Sequence, residues 1–394
     1  MTFSEEFLRN PIFRDQPLVF DPLLGEQIDG ERKKTGAVYQ ENGDVRITLY
    51  APGIRQVKAV INREEYFFSG DENGWFRLCI AFDTTRNGPL TVDLYFDGVW
   101  LLYPAMPIYW SASACHNYLE FPDEAQSFAM LQDVPHGAVT KQVYYSRALG
   151  SYERCLVYTP PGYMKGTDTY PVLYLQHGFG ENETVWDSTG RIANIMDNLL
   201  ARKKCVPFLV VMNNNMLRYQ GNAGGYPDHG FERMLLEDCI PFIEENYRAK
   251  TDKWNRAICG LSMGSYLSND IALFHPDMFG YVGALTGCMY HHSPMGTYPR
   301  PYHEVMKDGK LVKDNFRVFY QSATPEEDHL DYCLIDKKIC EDCGISQMPG
   351  YRFVVHPEGT QRWSSWRMGL RDFAKLLFRD EAVYQSRELL GQYF

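Results

Sequence analysis

The chain has 394 residues, 45% hydrophobic and 23% charged, which excludes a disordered or low-complexity protein and predicts two domains at this length. A formal net charge of −11 argues against nucleic acid and anionic membrane as partners, because both require a basic face. Aromatic residues, at 14%, are numerous enough to build cores and also to line a cleft for an aryl or sugar ligand.

The opening segment, MTFSEEFLRNPIFRDQPLVF, has no basic stretch followed by an apolar run, so no signal peptide is expected. No segment approaches the roughly 18 uninterrupted apolar residues of a membrane span. The ten cysteines are then expected to stay reduced in a cytoplasm. From about residue 36 to 122, short strand-like runs (VRITLYAP, QVKAVI, WFRLCIAF, LTVDLYFDG) are broken by Gly, Asn and Asp turns. They predict a β-sandwich over residues 1–130, followed by a connector at 131–141.

Beyond residue 142 the pattern changes to alternation. CLVYTP, PVLYLQ, FLVVMN, RAICGL, YVGALTG, FRVFYQ and YRFVVH read as strands. STGRIANIMDNLLARKK, FERMLLEDCIPFIEENYR, SMGSYLSNDIALF and SSWRMGLRDFAKLLF read as helices. Such alternation predicts a mostly parallel, doubly wound α/β sheet over 142–394. Cys333, Cys340 and Cys343 have a spacing that could suggest zinc, but no fourth ligand follows, and they read as free thiols in a loop. No metal or cofactor is expected.

The chemistry concentrates in Gly260-Leu261-Ser262-Met263-Gly264, a G-x-S-x-G run between a strand and a helix pattern. In that setting a tight turn pushes the Ser262 hydroxyl out at the strand end, and the following helix offers backbone N–H groups to an oxyanion. Upstream, His177-Gly178-Phe179-Gly180 ends another strand, and the Phe179 N–H is expected to pair with that of Met263 as an oxyanion hole. A catalytic acid should follow a later strand, where Glu326, Glu327 and Asp328 stand; Asp328 is the first choice and Glu327 the second. Trp186 and Tyr290 are assigned to substrate contact.

These segments, with DVPHGAVTKQVYYSRALGSYERCLVYTPPGY and FHPDMFGYVGALTG, resemble the esterase D-like family of α/β-hydrolases, which includes feruloyl, acetyl xylan and enterochelin esterases and mycolyltransferases. The first 130 residues resemble the early-set, glycan-module-like sandwich that often precedes this domain; VDLYFDGVWLLYPAMP is the best match there. The resemblance implies Ser262 as nucleophile, an acid within 326–328, and a histidine two residues before a Trp near the last helix. The family segment reads G-G-H-x-W. Here it reads Gly359-Thr360-Gln361-Arg362-Trp363. A glutamine amide can hydrogen-bond but has no basic pKa near neutrality, so it cannot take the serine proton.

His356, at the end of the last strand pattern, is the replacement base weighed first; His291, His292 and His329 are further candidates. The expected function is a serine carboxyl-ester hydrolase for small acylated sugar or aryl esters, weak unless another imidazole serves. The alternative is a catalytically silent relative that keeps the site for binding or assembly. Acyl transfer to an acceptor other than water would use the same logic.

Overall fold

Two runs of alternating residues, Val45–Tyr50 and Pro89–Phe96, set the architecture of the N-terminal part, because each turns one apolar face inward. In the computed structural model, which describes residues 35–61, 63–81, 88–111, 114–121, 123–216, 230–287, 302–325, 330–356 and 363–393, the chain forms two compact units, 1–131 and 132–394.

In the first unit, Gly36–Tyr39, Val45–Tyr50, Trp75–Ile80 and Ser69–Gly70 form one antiparallel sheet. A second sheet orders Glu64–Phe67, Val57–Ile61, Pro89–Phe96, Ala114–Glu120 and Ile108–Ser111, with Val99–Leu101 paired to Pro89–Phe96. Their core joins Val45, Ile47 and Leu49 to Val57, Ala59, Ile61, Val92, Leu94 and Phe96. The Asn117 side chain is buried there; it accepts the Tyr103 N–H at 2.7 Å and donates to the Tyr103 carbonyl at 2.9 Å, which pins the turn before Ile108.

The second unit is an eight-stranded sheet. Its strands are β1 (Ala138–Ser146), β2 (Ser151–Thr159), β3 (Val172–Gln176), β4 (Leu209–Asn213), β5 (Arg256–Leu261), β6 (Tyr281–Leu285), β7 (Val318–Ala323) and β8 (Tyr351–Val355). The order is β1-β2-β4-β3-β5-β6-β7-β8, antiparallel as far as the β2–β4 pair and parallel from there on. This is the doubly wound order of an α/β-hydrolase. Every residue of β3 to β7 is buried, as parallel strands covered on both faces require. β1 is a largely exposed edge strand that begins inside the segment read as a connector.

The principal helices are α1 (Ile192–Ala201), α2, α3 (Met263–Phe274), α4 (Leu330–Asp342) and α5 (Trp363–Leu376). α2 runs from Gly230–Arg233 through a π-helical stretch, Met234–Cys239, to Ile240–Asn246. Pro241 has no N–H to return to Glu237, and its ring crowds that carbonyl, so the helix widens at this point. α2 and α3 share one core with the sheet, while α1 and α5 pack on each other. The C-x6-C-x2-C segment is not a loop: Cys333 and Cys340 lie two turns apart on α4, both buried. No cluster of metal-ligating side chains occurs among the described residues.

Candidate active site

The nucleophile position is built by local sterics. Ser262 joins β5 to α3 with φ 49° and ψ −117°, a conformation that L-residues avoid and that a nucleophile elbow imposes. The turn closes only because its flanks are glycine. A Cβ on Gly260 would stand 2.3 Å from the Gly264 carbonyl, and one on Gly264 would stand 2.5 Å from the His177 carbonyl. The Ser262 N–H donates to the Leu285 carbonyl at 3.1 Å, and its own carbonyl accepts the Ser265 N–H at 3.0 Å. The strained residue is thereby held from both sides.

The loop after β3 abuts this elbow. A Cβ on Gly178 would lie 3.5 Å from the Ser262 Cβ. The Met263 N–H is the first of α3 and has no intrahelical partner. Neither it nor the Phe179 N–H donates to a described residue. Backbone donors with no acceptor among the described residues, one heading the helix after the serine and one following the glycine that abuts it, are the kind of group a developing oxyanion needs. His177, although next to them in sequence, is spent on structure. Its Nδ1–H donates to the Gly178 carbonyl at 2.8 Å, its Nε2 accepts the Asn215 N–H at 3.1 Å, and burial pushes its pKa down to about 4. It stays neutral and holds the loop.

Trp186, expected to touch substrate, is instead a buried post, 1% exposed. Its indole N–H donates to the Gln176 carbonyl at 2.9 Å, and its ring meets Trp363 edge-on at 5.2 Å. Trp363 in turn meets Trp366 edge-on at 5.3 Å, and Trp366 donates to the Thr286 hydroxyl. Three indoles thus tie the ends of β3 and β6 to the head of α5, the helix that begins two residues after Gln361 in the sequence. Arg367, fully buried, donates to the Thr189 carbonyl at 2.9 Å and adds a second tie. Trp186→Ala should therefore cost about 3–5 kcal/mol. Urea unfolding checks this, with Tyr152→Ala, at a side chain 76% exposed, as a control expected to stay within about 0.5 kcal/mol of the native chain.

His356 is not brought to Ser262. Its N–H continues the β8–β7 ladder by donating to the Ala323 carbonyl at 2.9 Å, so it sits at the strand end itself. β8 is three strands from β5, or about 14 Å at ~4.8 Å per strand. A serine–histidine pair bridges only roughly 10 Å between Cα atoms. The side chain is 4% exposed, and its Nε2 has no hydrogen-bond partner among the described residues. Burial lowers its pKa, while Asp372 opposes the shift and Arg371 adds to it. His356 is thus corrected from candidate base to buried strand-end residue.

Gln361, Asp328 and Tyr290 lie outside the described residues, as do Glu326, Glu327, His291, His292 and His329. Sequence reasoning missed Glu181, whose buried carboxylate accepts the Gly178 N–H at 2.9 Å; a carboxylate three residues past an H-G pair was the available signal.

Comparison with known proteins bears on the family and the fold. Residues 146–375 match the model of a family described as "Putative esterase". An endo-1,4-beta-xylanase/feruloyl esterase of Xylanibacter ruminicola is 38% identical over 394 residues, covering 95% of this chain and 48% of that protein. The chain therefore spans about half the length of that relative. A ferulic acid esterase of Anaeromyces mucronatus, solved with ferulic acid, superposes with a TM-score of 0.55 at 21% identity, covering 65% of this chain and 96% of its own. The enterobactin esterase of Shigella flexneri, solved in the presence of enterobactin, superposes with a TM-score of 0.62 at 14% identity, covering 92% and 98%. Both likenesses are of fold.

Proposed function

The chain belongs to this esterase family, and from that premise we propose that it is a serine carboxyl-ester hydrolase for small aryl or acylated-sugar esters of the feruloyl or acetyl type. The observation that carries the proposal is the strained Ser262 at the head of a helix, with the Met263 and Phe179 N–H groups lacking an acceptor among the described residues. Ser262 Oγ attacks the ester carbonyl, and the Met263 and Phe179 N–H groups receive the oxyanion. Collapse expels the alcohol and leaves an acyl-serine, which water releases. Asp328 is the proposed acid. The feruloyl preference is supported by the name of the Xylanibacter relative. No helix among the described residues is long and apolar enough to cross a membrane.

The proton is the weak point of this cycle. With Gln361 at the base position, the Ser262 proton must leave to water, and turnover is slow. That same residue favours a second reading, a silent relative that binds the ester or its acid without turning it over. Hydrolysis of methyl ferulate and p-nitrophenyl acetate, with mass spectrometry of Ser262 for an acyl adduct, separates the two. Ser262-dependent acylation supports the hydrolase. Ferulate binding by calorimetry with no adduct and no release supports the silent relative.

A further inference from the structure

We propose that Glu181 is a positioning residue of the oxyanion hole, holding the Gly178–Phe179 turn through its carboxylate and making ester cleavage sensitive to its own charge. This rests on the hydrolase reading above. The Glu181 Oε2 accepts the Gly178 N–H at 2.9 Å, and the side chain is 8% exposed. The position of a Cβ on Gly178 lies 3.3 Å from that oxygen and 3.5 Å from the Ser262 Cβ, so the carboxylate and the nucleophile flank the same glycine. Gly180, at φ 73°, lets the chain turn back within four residues so that Glu181 can reach Gly178. The peptide pinned at Gly178 is followed directly by the one whose N–H is offered by Phe179.

Burial pushes the Glu181 carboxyl up to about 7, and the Gly178 N–H opposes the shift only in part. No described charge compensates it. On its own loop His177 is neutral, and Glu183 is ion-paired at 3.2 Å with Arg154 of β2. Asp187 on the following short helix and Arg191 at the head of α1 do not figure among the causes of its shift. The first turn of α3 (Met263 to Tyr266), the end of β6 (Thr286, Gly287) and the end of β4 (Asn214, Asn215) carry no charge. Protonated, Glu181 braces the turn as a neutral group. Ionised, it sets a negative charge beside the forming oxyanion and raises the barrier.

The test compares the native chain with E181Q and E181A in acylation of Ser262 by p-nitrophenyl acetate. The ratio of native to E181Q rates should fall about tenfold between about pH 6 and about pH 8.5, with its midpoint near the Glu181 pKa. E181A, which loses the brace, should acylate about tenfold more slowly at every pH, with KM within about twofold. A pH-independent ratio to E181Q, or an E181A chain that acylates like the native one, overturns the inference. Should Ser262 never be acylated, the hydrolase reading has failed, and stability decides Glu181 instead. A carboxyl with a raised folded-state pKa contributes its full stability below the unfolded value, 4.5, and loses it as pH rises to about 7. The Tm advantage of E181Q should then grow across that window, and a constant difference overturns the inference.

Discussion

Gln361→His should raise ester hydrolysis by roughly 10²- to 10⁴-fold, the range that a positioned general base contributes. The remaining parts of the cycle would not need to be rebuilt. Ser262 already holds the elbow conformation, and the Met263 and Phe179 N–H groups already lack acceptors among the described residues. The head of α5, which begins two residues after Gln361 in the sequence, is held by the Trp186–Trp363–Trp366 ladder and by Arg367. Thr360 still replaces the family glycine, which keeps the expectation toward the lower end of the range. The variant should also acquire a rising limb of kcat/KM near the ordinary histidine pKa, about 6.5, that the native chain lacks. Stopped-flow release of p-nitrophenolate from about pH 5 to about pH 9 reads both effects. A Gln361→His rate equal to the native rate, with no new limb, would refute the view that the missing base limits turnover.

Ser262→Ala should be judged in both backgrounds, because triad members act as a unit. When the base is already absent, removing the nucleophile costs little more; what remains comes from the oxyanion hole and binding. The native chain should therefore lose only about 10- to 10²-fold on Ser262→Ala, whereas the Gln361→His chain should lose roughly 10³- to 10⁴-fold, that loss multiplied by the gain from the new base. The double-mutant cycle reads the coupling directly. Equal losses in the two backgrounds would mean that residue 361 and Ser262 do not share a proton. His356→Ala in either background should leave the rate within about twofold, since the strand spacing keeps that imidazole from the serine.

Much of the fold was legible in the chain. β3 to β7 are continuous apolar runs, and α1, α3 and α5 follow the periodic segments, because parallel strands and their covering helices are buried on known faces. What escaped is equally specific. The first residues of β1, 138–141, were read as connector, and the rest was not among the strand readings, because an edge strand facing solvent shows little apolar alternation. α4 was read as loop because its apolar residues do not keep to one face: Leu334 and Ile335 are exposed, while Asp336 is buried alongside Cys333 and Cys340.

The elbow belongs to the sequence alone. Gly260 and Gly264 are required by contacts within a few residues and one neighbouring strand, and Gln361 stands in the sequence where the family resemblance implies a histidine. Trp186 and His356 belong to the tertiary structure. Sequence placed one near the oxyanion loop and the other at the last strand, and both lay plausibly beside a cleft. Burial is decided by what packs on a side chain, and reach by how many strands lie between two ends. The indole became a post under the site, and the imidazole stayed three strands away. Glu181 was equally silent in the chain. Its meaning arises only when Gly180 turns the loop back and closes the carboxylate onto Gly178 beside the serine.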